Sequence, residues 1–115
     1  MILNLTQTSV GGELVLAVEG KRLDAENASL FKIRLLEACR AADGLPIVDI
    51  SDVAFIDSTG LGALLSCHKA LEDRGGLVLA CPGEEVAKLF ALTRVNRVMG
   101  VFAGVDQAVA SIRAR

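Results

Sequence analysis

With 115 residues, 52% of them hydrophobic, the chain is long enough to bury a core without disulfide or metal staples and too apolar to be disordered. A formal net charge of −2, four Phe and neither Trp nor Tyr argue against the basic stripes and aromatic platforms with which proteins read nucleic acids. The three cysteines, Cys39, Cys67 and Cys81, form no CxxC pair and find one histidine, His68, to join them, so buried free thiols are expected and no metal or cofactor.

Ile2 to Thr8 alternates with period two, and Leu14 to Val18 is a second apolar run. The intervening Gly11-Gly12 predicts a hairpin. After Gly20 and a short connection, Ala28, Phe31, Leu35, Cys39 and Ala42 recur at helical spacing. They predict a helix from Ala25 to about Ala42, with Asp24 as its N-cap. Pro46 to Ile50 is a strand. Ser51 to Asp57 leads to a second helix, Ser58 to about Arg74, with Leu61, Leu64, Leu65, His68 and Leu71 along one face and Gly75-Gly76 as its stop. Leu77 to Cys81 is a continuous apolar strand, of the kind covered on both faces. A short helix from Glu84 to about Thr93, a strand from Val98 to Phe102 and a helix from Val105 to Arg115 complete the chain.

The order β-β-α-β-α-β-α-β-α predicts an α/β fold. It is a single domain over residues 1–115 whose mixed β-sheet, an antiparallel hairpin continued by parallel crossovers, is covered by helices. Met1 to Thr6 lacks a basic signal-peptide region, and no uncharged run approaches the roughly 18 residues that span a bilayer. A cytoplasmic protein without direct membrane insertion is expected.

The chemistry concentrates at Phe55-Ile56-Asp57-Ser58-Thr59-Gly60-Leu61-Gly62, where an apolar run meets a helix start. Ser58 or Asp57 is the natural N-cap there, and the unpaired N–H groups and helix dipole favour an anion. Gly60 and Gly62 each cost a helix about 1 kcal/mol relative to Ala, which suggests a backbone that something approaches closely. A plain helix cap with glycines for tight packing explains the same residues. Catalysis by this serine lacks support. Ser58 is not in a Gly-x-Ser-x-Gly elbow, and His68 lies ten residues on along the same helix. A P-loop is absent, and Leu5-Thr6-Gln7-Thr8 supplies no acidic pair for the Mg²⁺ site of a receiver.

The run from Val48 to Gly62, with Leu64-Leu65 and the helix reaching Gly75-Gly76, resembles the STAS domain, the family of bacterial anti-sigma factor antagonists. Gly20-Lys21-Arg22-Leu23-Asp24 resembles the family's Gly-x-Leu-Asp segment with one extra residue, and Val86 to Phe90 and Val98 to Phe102 fit its C-terminal helix and strand. The resemblance implies a non-enzymatic binding switch in transcription regulation. The serine after the aspartate, here Ser58, would be phosphorylated by an anti-sigma factor that is also a serine kinase. The unmodified form would bind that kinase and free a sigma factor, and a phosphatase would restore it. Asp24, Asp57, Ser58, Thr59, Gly60, Leu61 and Gly62 would form the partner surface. The alternative is a STAS interaction subunit of an ABC lipid-transport system or signalling complex, without a phosphorylation cycle.

Overall fold

The protein is described by a computed structural model over residues 3–114. Ile2 and Arg115, the expected ends of the first strand and the last helix, lie outside the described residues.

Strands β1 (Asn4–Val10) and β2 (Glu13–Glu19) pair antiparallel from Asn4↔Glu19 to Val10↔Glu13. The two-residue turn is Gly11-Gly12, with φ of +58° and +84°. Both values lie in the left-handed region that glycine enters without a Cβ clash, and this turn's twist suits a hairpin. Further on come β4 (Ile47–Asp49), β6 (Val78–Ala80) and β7 (Gly100–Phe102), and the sheet order is β1-β2-β4-β6-β7 with every pair after the hairpin parallel. The crossovers run through α1 (Ala28–Ala41), α2 (Ser58–Ala70) and α3 (Glu84–Thr93), and α4 (Val105–Arg113) follows the last strand. The expected mixed sheet with four helices is what forms.

Side chains of a strand alternate between faces, and here the alternation splits the core in two. Leu16, Val48 and Leu79 point to one side with Phe31 and Leu35 of α1, Leu64 and Cys67 of α2, and Phe90 of α3. Val15, Ile47, Val78 and Ala80 point to the other, where Ala108 and Val109 of α4 cover them. Three helices thus lie on one face and one on the other. Arg113 at the end of α4 donates to the Gly11 carbonyl and pins the hairpin turn.

Four expectations change. First, a two-stranded parallel sheet, β3 (Arg22–Leu23) with β5 (Phe55–Ile56), stands apart from the main sheet. Two-residue strands are too short to show a period of two, so the sequence concealed them. Second, Asp24 does not cap α1. Its Oδ1 accepts the Glu26 N–H (3.0 Å) and its carbonyl accepts from Asn27 and Ala28, which folds residues 25–27 into a separate turn before the helix. Third, α2 stops at Ala70, and a 3-10 turn, Glu72–Arg74, leads to Gly75 and Gly76, both at positive φ. Fourth, a 3-10 turn at Val95–Arg97 shortens the last strand to Gly100–Phe102.

Candidate functional site

β3 and β5 bring two distant segments side by side, Arg22 against Phe55 and Leu23 against Ile56. The pairing continues past the strands as the Asp57 N–H donates to the Leu23 carbonyl (3.2 Å). Asp57, in extended backbone, is the N-cap of α2, and its two carboxylate oxygens have separate tasks. Oδ1 accepts the Gly60 N–H at 2.8 Å, satisfying a helix-start donor. Oδ2 accepts the Ala25 N–H at 3.2 Å, tying α2 to the turn that begins at Asp24. Asp24 and Asp57 therefore line one open depression of about 500 Å³.

Asn27 and Arg22 shape that depression and escaped the reading of the sequence. Asn27 is the one buried polar or charged residue among those described, at 7% exposure. Its Oδ1 accepts the Asp24 N–H (3.0 Å) and its Nδ2 donates to the Arg22 carbonyl (2.8 Å), so it braces the turn from inside. Its place three residues after Asp24 was the available signal, because Asx side chains stabilise turns through neighbouring backbone. The Arg22 guanidinium lies 4.2 Å above the Phe55 ring, and its Nε is 3.3 Å from Asp24 Oδ2. Cation–π and ionic contact together hold an otherwise exposed side chain. Behind it, Asp52 accepts from the Gly20 N–H (2.8 Å) and pairs with Lys21. The Lys21 hydrogen bond, and then the Gly20 N–H, hold the Asp52 carboxyl below the ordinary carboxylate range.

The start of α2 divides by burial. Ser58 and Thr59 are exposed, Leu61 is half-buried against the core, and Gly62 is exposed. Gly60 is buried, and a Cβ there would sit 2.3 Å from the Leu23 carbonyl oxygen. The neighbour that needs this glycine is the protein's own β3. At Gly62 an added Cβ would meet nothing within 4 Å, so that glycine exposes bare helix backbone.

His68 is committed to the scaffold, its Nδ1 accepting the Leu77 N–H at 3.0 Å and its ring lying against Gly76. Cys39 and Cys67 are free and buried, and burial pushes both thiols up to about 11. Burial also raises the half-buried Cys81. These thiols are poor nucleophiles and metal ligands in that state. Among the described residues, no group of three or more His, Cys, Asp or Glu is placed to hold a metal ion. Nor is any helix long and apolar enough to cross a membrane.

The model of the STAS domain matches residues 4–108. The chain belongs to the STAS domain family. Its STAS relatives include a Thermotoga maritima protein named as a candidate anti-sigma factor antagonist, 29% identical over 103 residues, or 88% of this chain and 91% of the relative. The anti-sigma-B factor antagonist of Listeria monocytogenes is 30% identical over 81 residues, covering 69% of this chain and 70% of the relative. Among solved STAS structures, the anti-sigma factor antagonist SpoIIAA in its unphosphorylated form superposes with a TM-score of 0.70 at 23% identity, covering 97% of this chain and 98% of that one, a likeness of fold. These relatives place the chain among the anti-sigma factor antagonists of the STAS family.

Proposed function

We propose that residues 1–115 act as one STAS unit whose surface around Ser58 binds a serine-kinase anti-sigma factor. The bound form frees a sigma factor, and phosphorylation of Ser58 ends the complex. The observation that carries this reading is an exposed serine on the first turn of α2, beside a carboxylate fully engaged with its own backbone. Asp57 cannot swing away from an incoming charge without releasing both the α2 cap and the Asp24 turn. Asp24, Thr59, Leu61 and Gly62 would share the docking surface, and Gly60 would set how closely α2 lies on β3.

The charge arithmetic supports a switch. A phosphate adds about −1.5 to −2 charges and three strong acceptors. At a helix N-terminus the domain tolerates an anion, since the dipole favours it. Between Asp57 and a docked partner the same charge meets a like charge and must be desolvated. Such juxtapositions cost several kcal/mol, and each ~1.4 kcal/mol is a tenfold loss of affinity. The domain need not refold to lose its partner.

In this reading Ser58 is a substrate and not a nucleophile, and the domain is not an enzyme. His68, the single histidine, spends its Nδ1 lone pair on the Leu77 N–H. A phosphatase would complete the cycle, in the cytoplasm where sigma factors act.

The test combines binding with phosphate mapping. The serine-kinase anti-sigma factors of the same genome are purified and titrated with wild type, Ser58→Ala and Ser58→Asp. Wild type and Ser58→Ala are expected to bind one of them, Ser58→Asp to bind it at least tenfold more weakly, and ATP to place phosphate on Ser58 of wild type. Equal binding by Ser58→Asp, with no phosphate on Ser58, overturns the switch. Recovery of a transport ATPase with unmodified Ser58 would support the transporter subunit instead.

A further inference from the structure

Next to the Ser58 surface lies a groove of about 340 Å³ between β5 and α3, floored by buried Val86 and walled by Phe55, Leu89 and Leu92. Phe55 is 41% exposed and Leu92 is 83% exposed. Single exposed leucines are common on protein surfaces, but two large apolar side chains flanking one groove make a local patch. On α3, Glu85, Lys88, Leu89 and Leu92 all line this groove, and their spacing of three and four residues places them on one helix face.

Two observations indicate what fills it. The first is continuity, because Phe55 is also a wall of the depression lined by Asp24 and Asp57. An object seated on those carboxylates and reaching over Phe55 arrives at Leu92. The second is charge. Lys88 is already shared between Glu84 and Glu85 at 3.6 Å each, and Arg22 is paired with Asp24. Groove and depression taken together are lined by four carboxylates, Asp24, Glu26, Asp57 and Glu85, against two cations, Arg22 and Lys88, each already engaged with a carboxylate.

We propose that this groove is the apolar anchor for the same anti-sigma partner. It takes a Leu, Ile, Met or Phe side chain from a partner segment that carries Lys or Arg beside it. The inference rests on the binding role given to the Ser58 surface and divides the labour within it. The groove supplies affinity that does not depend on Ser58, and Ser58 supplies the switch.

Leu92 suits the test because so exposed a side chain contributes little to the fold. Leu92→Ala and Leu92→Asp are titrated against the anti-sigma factor that wild type binds, with Ser58→Asp in parallel and thermal melts of each variant. Full burial of a leucine corresponds to about a ten- to hundredfold change in affinity. Both Leu92 variants are therefore expected to bind at least tenfold more weakly with wild-type melting. Phosphorylation of Ser58 in Leu92→Ala should show a raised KM with kcat unchanged, as expected when binding shared by ground and transition states is removed. If Ser58→Asp loses binding while Leu92→Asp binds as wild type, the groove proposal fails and the switch stands. If neither variant weakens binding, the switch reading fails and the groove proposal with it. If Leu92→Asp only converts a dimer of this chain to a monomer in sedimentation velocity, leaving partner affinity intact, the groove seats a second copy and the proposal is overturned.

Discussion

Gly60 and Gly62, two residues apart on α2, have the same intrinsic helix cost and opposite surroundings. At Gly60 a methyl group would collide with the Leu23 carbonyl, a backbone atom that moves only if β3 moves. At Gly62 it would enter open space. Gly60→Ala is expected to destabilise the domain by about 1–3 kcal/mol, the usual range for forcing extra volume into a packed site. Gly62→Ala is expected to stabilise it by up to ~1 kcal/mol through helix propensity alone. Urea unfolding of the two variants beside wild type checks both signs. A more stable Gly62→Ala that binds the anti-sigma factor less well would mean that stability is given up here for close approach by a partner.

Helices α1 and α2 hold one another by their ends. Arg74, just beyond α2, donates from Nη1 to the Cys39 carbonyl (3.1 Å) and from Nη2 to the Ala42 carbonyl (2.7 Å), at the last turn of α1. In return Arg40 of α1 donates to the Ala70 carbonyl (3.2 Å) at the end of α2. Carbonyls at helix C-termini lack intrahelical donors and sit at the negative end of the dipole, so a guanidinium suits both needs. Arg74 is half-buried and makes two such bonds, whereas Arg40 is exposed and makes one. Arg74→Ala is expected to cost about 1.5–3 kcal/mol, within the range for hydrogen bonds to a charged group. Arg40→Ala should cost visibly less. Equal denaturant midpoints for the two variants would contradict this ranking.

Acid stability belongs to the molecule as a whole, and one contribution to it has a readable sign. Asp52, bonded to Lys21 and the Gly20 N–H, keeps its carboxyl below the ordinary range, so the folded state binds its proton less readily than the unfolded chain. The stabilisation is fully present above the unfolded value of about 4 and is lost as pH falls through the lower folded value. Asp52→Asn should therefore be less stable than wild type at neutral pH, with the difference closing at acid pH. Urea midpoints of both proteins from roughly pH 7 down to pH 2 would show the curves converging, given the carboxylate range concerned. Parallel curves would remove Asp52 from this role. The same bonds fix Gly20-Lys21, whose carbonyl accepts from Ala54 and Phe55, so acid should loosen the small sheet beneath the Ser58 surface.

Legible in the sequence were the order of the main-sheet strands and the four helices, the hairpin glycines, the inward face of α1 and the Asp57-Ser58 helix start. Each is a local signal: a period of two or 3.6, a glycine pair, a polar residue before an apolar run. The buried line of α2, by contrast, runs through Gly60, Ala63, Leu64 and Cys67 and leaves the expected Leu61, Leu65 and His68 half-buried beside it. The sequence by itself determined the family through the run from Val48 to Gly62 and the Gly20–Asp24 segment. It did not show that Asp24 builds a turn of its own, that Asn27 braces that turn or that Gly60 answers to Leu23. Nor did it show that Phe55 faces both the acidic depression and the α3 groove. The turn and its brace are built from bonds two to five residues apart that many Asp and Asn residues could make, whereas the rest depend on contacts about thirty positions apart, such as the Asp57–Ala25 bond. Tertiary structure decided them, because β3 and β5 are too short to announce themselves and acquire their geometry only by lying against each other.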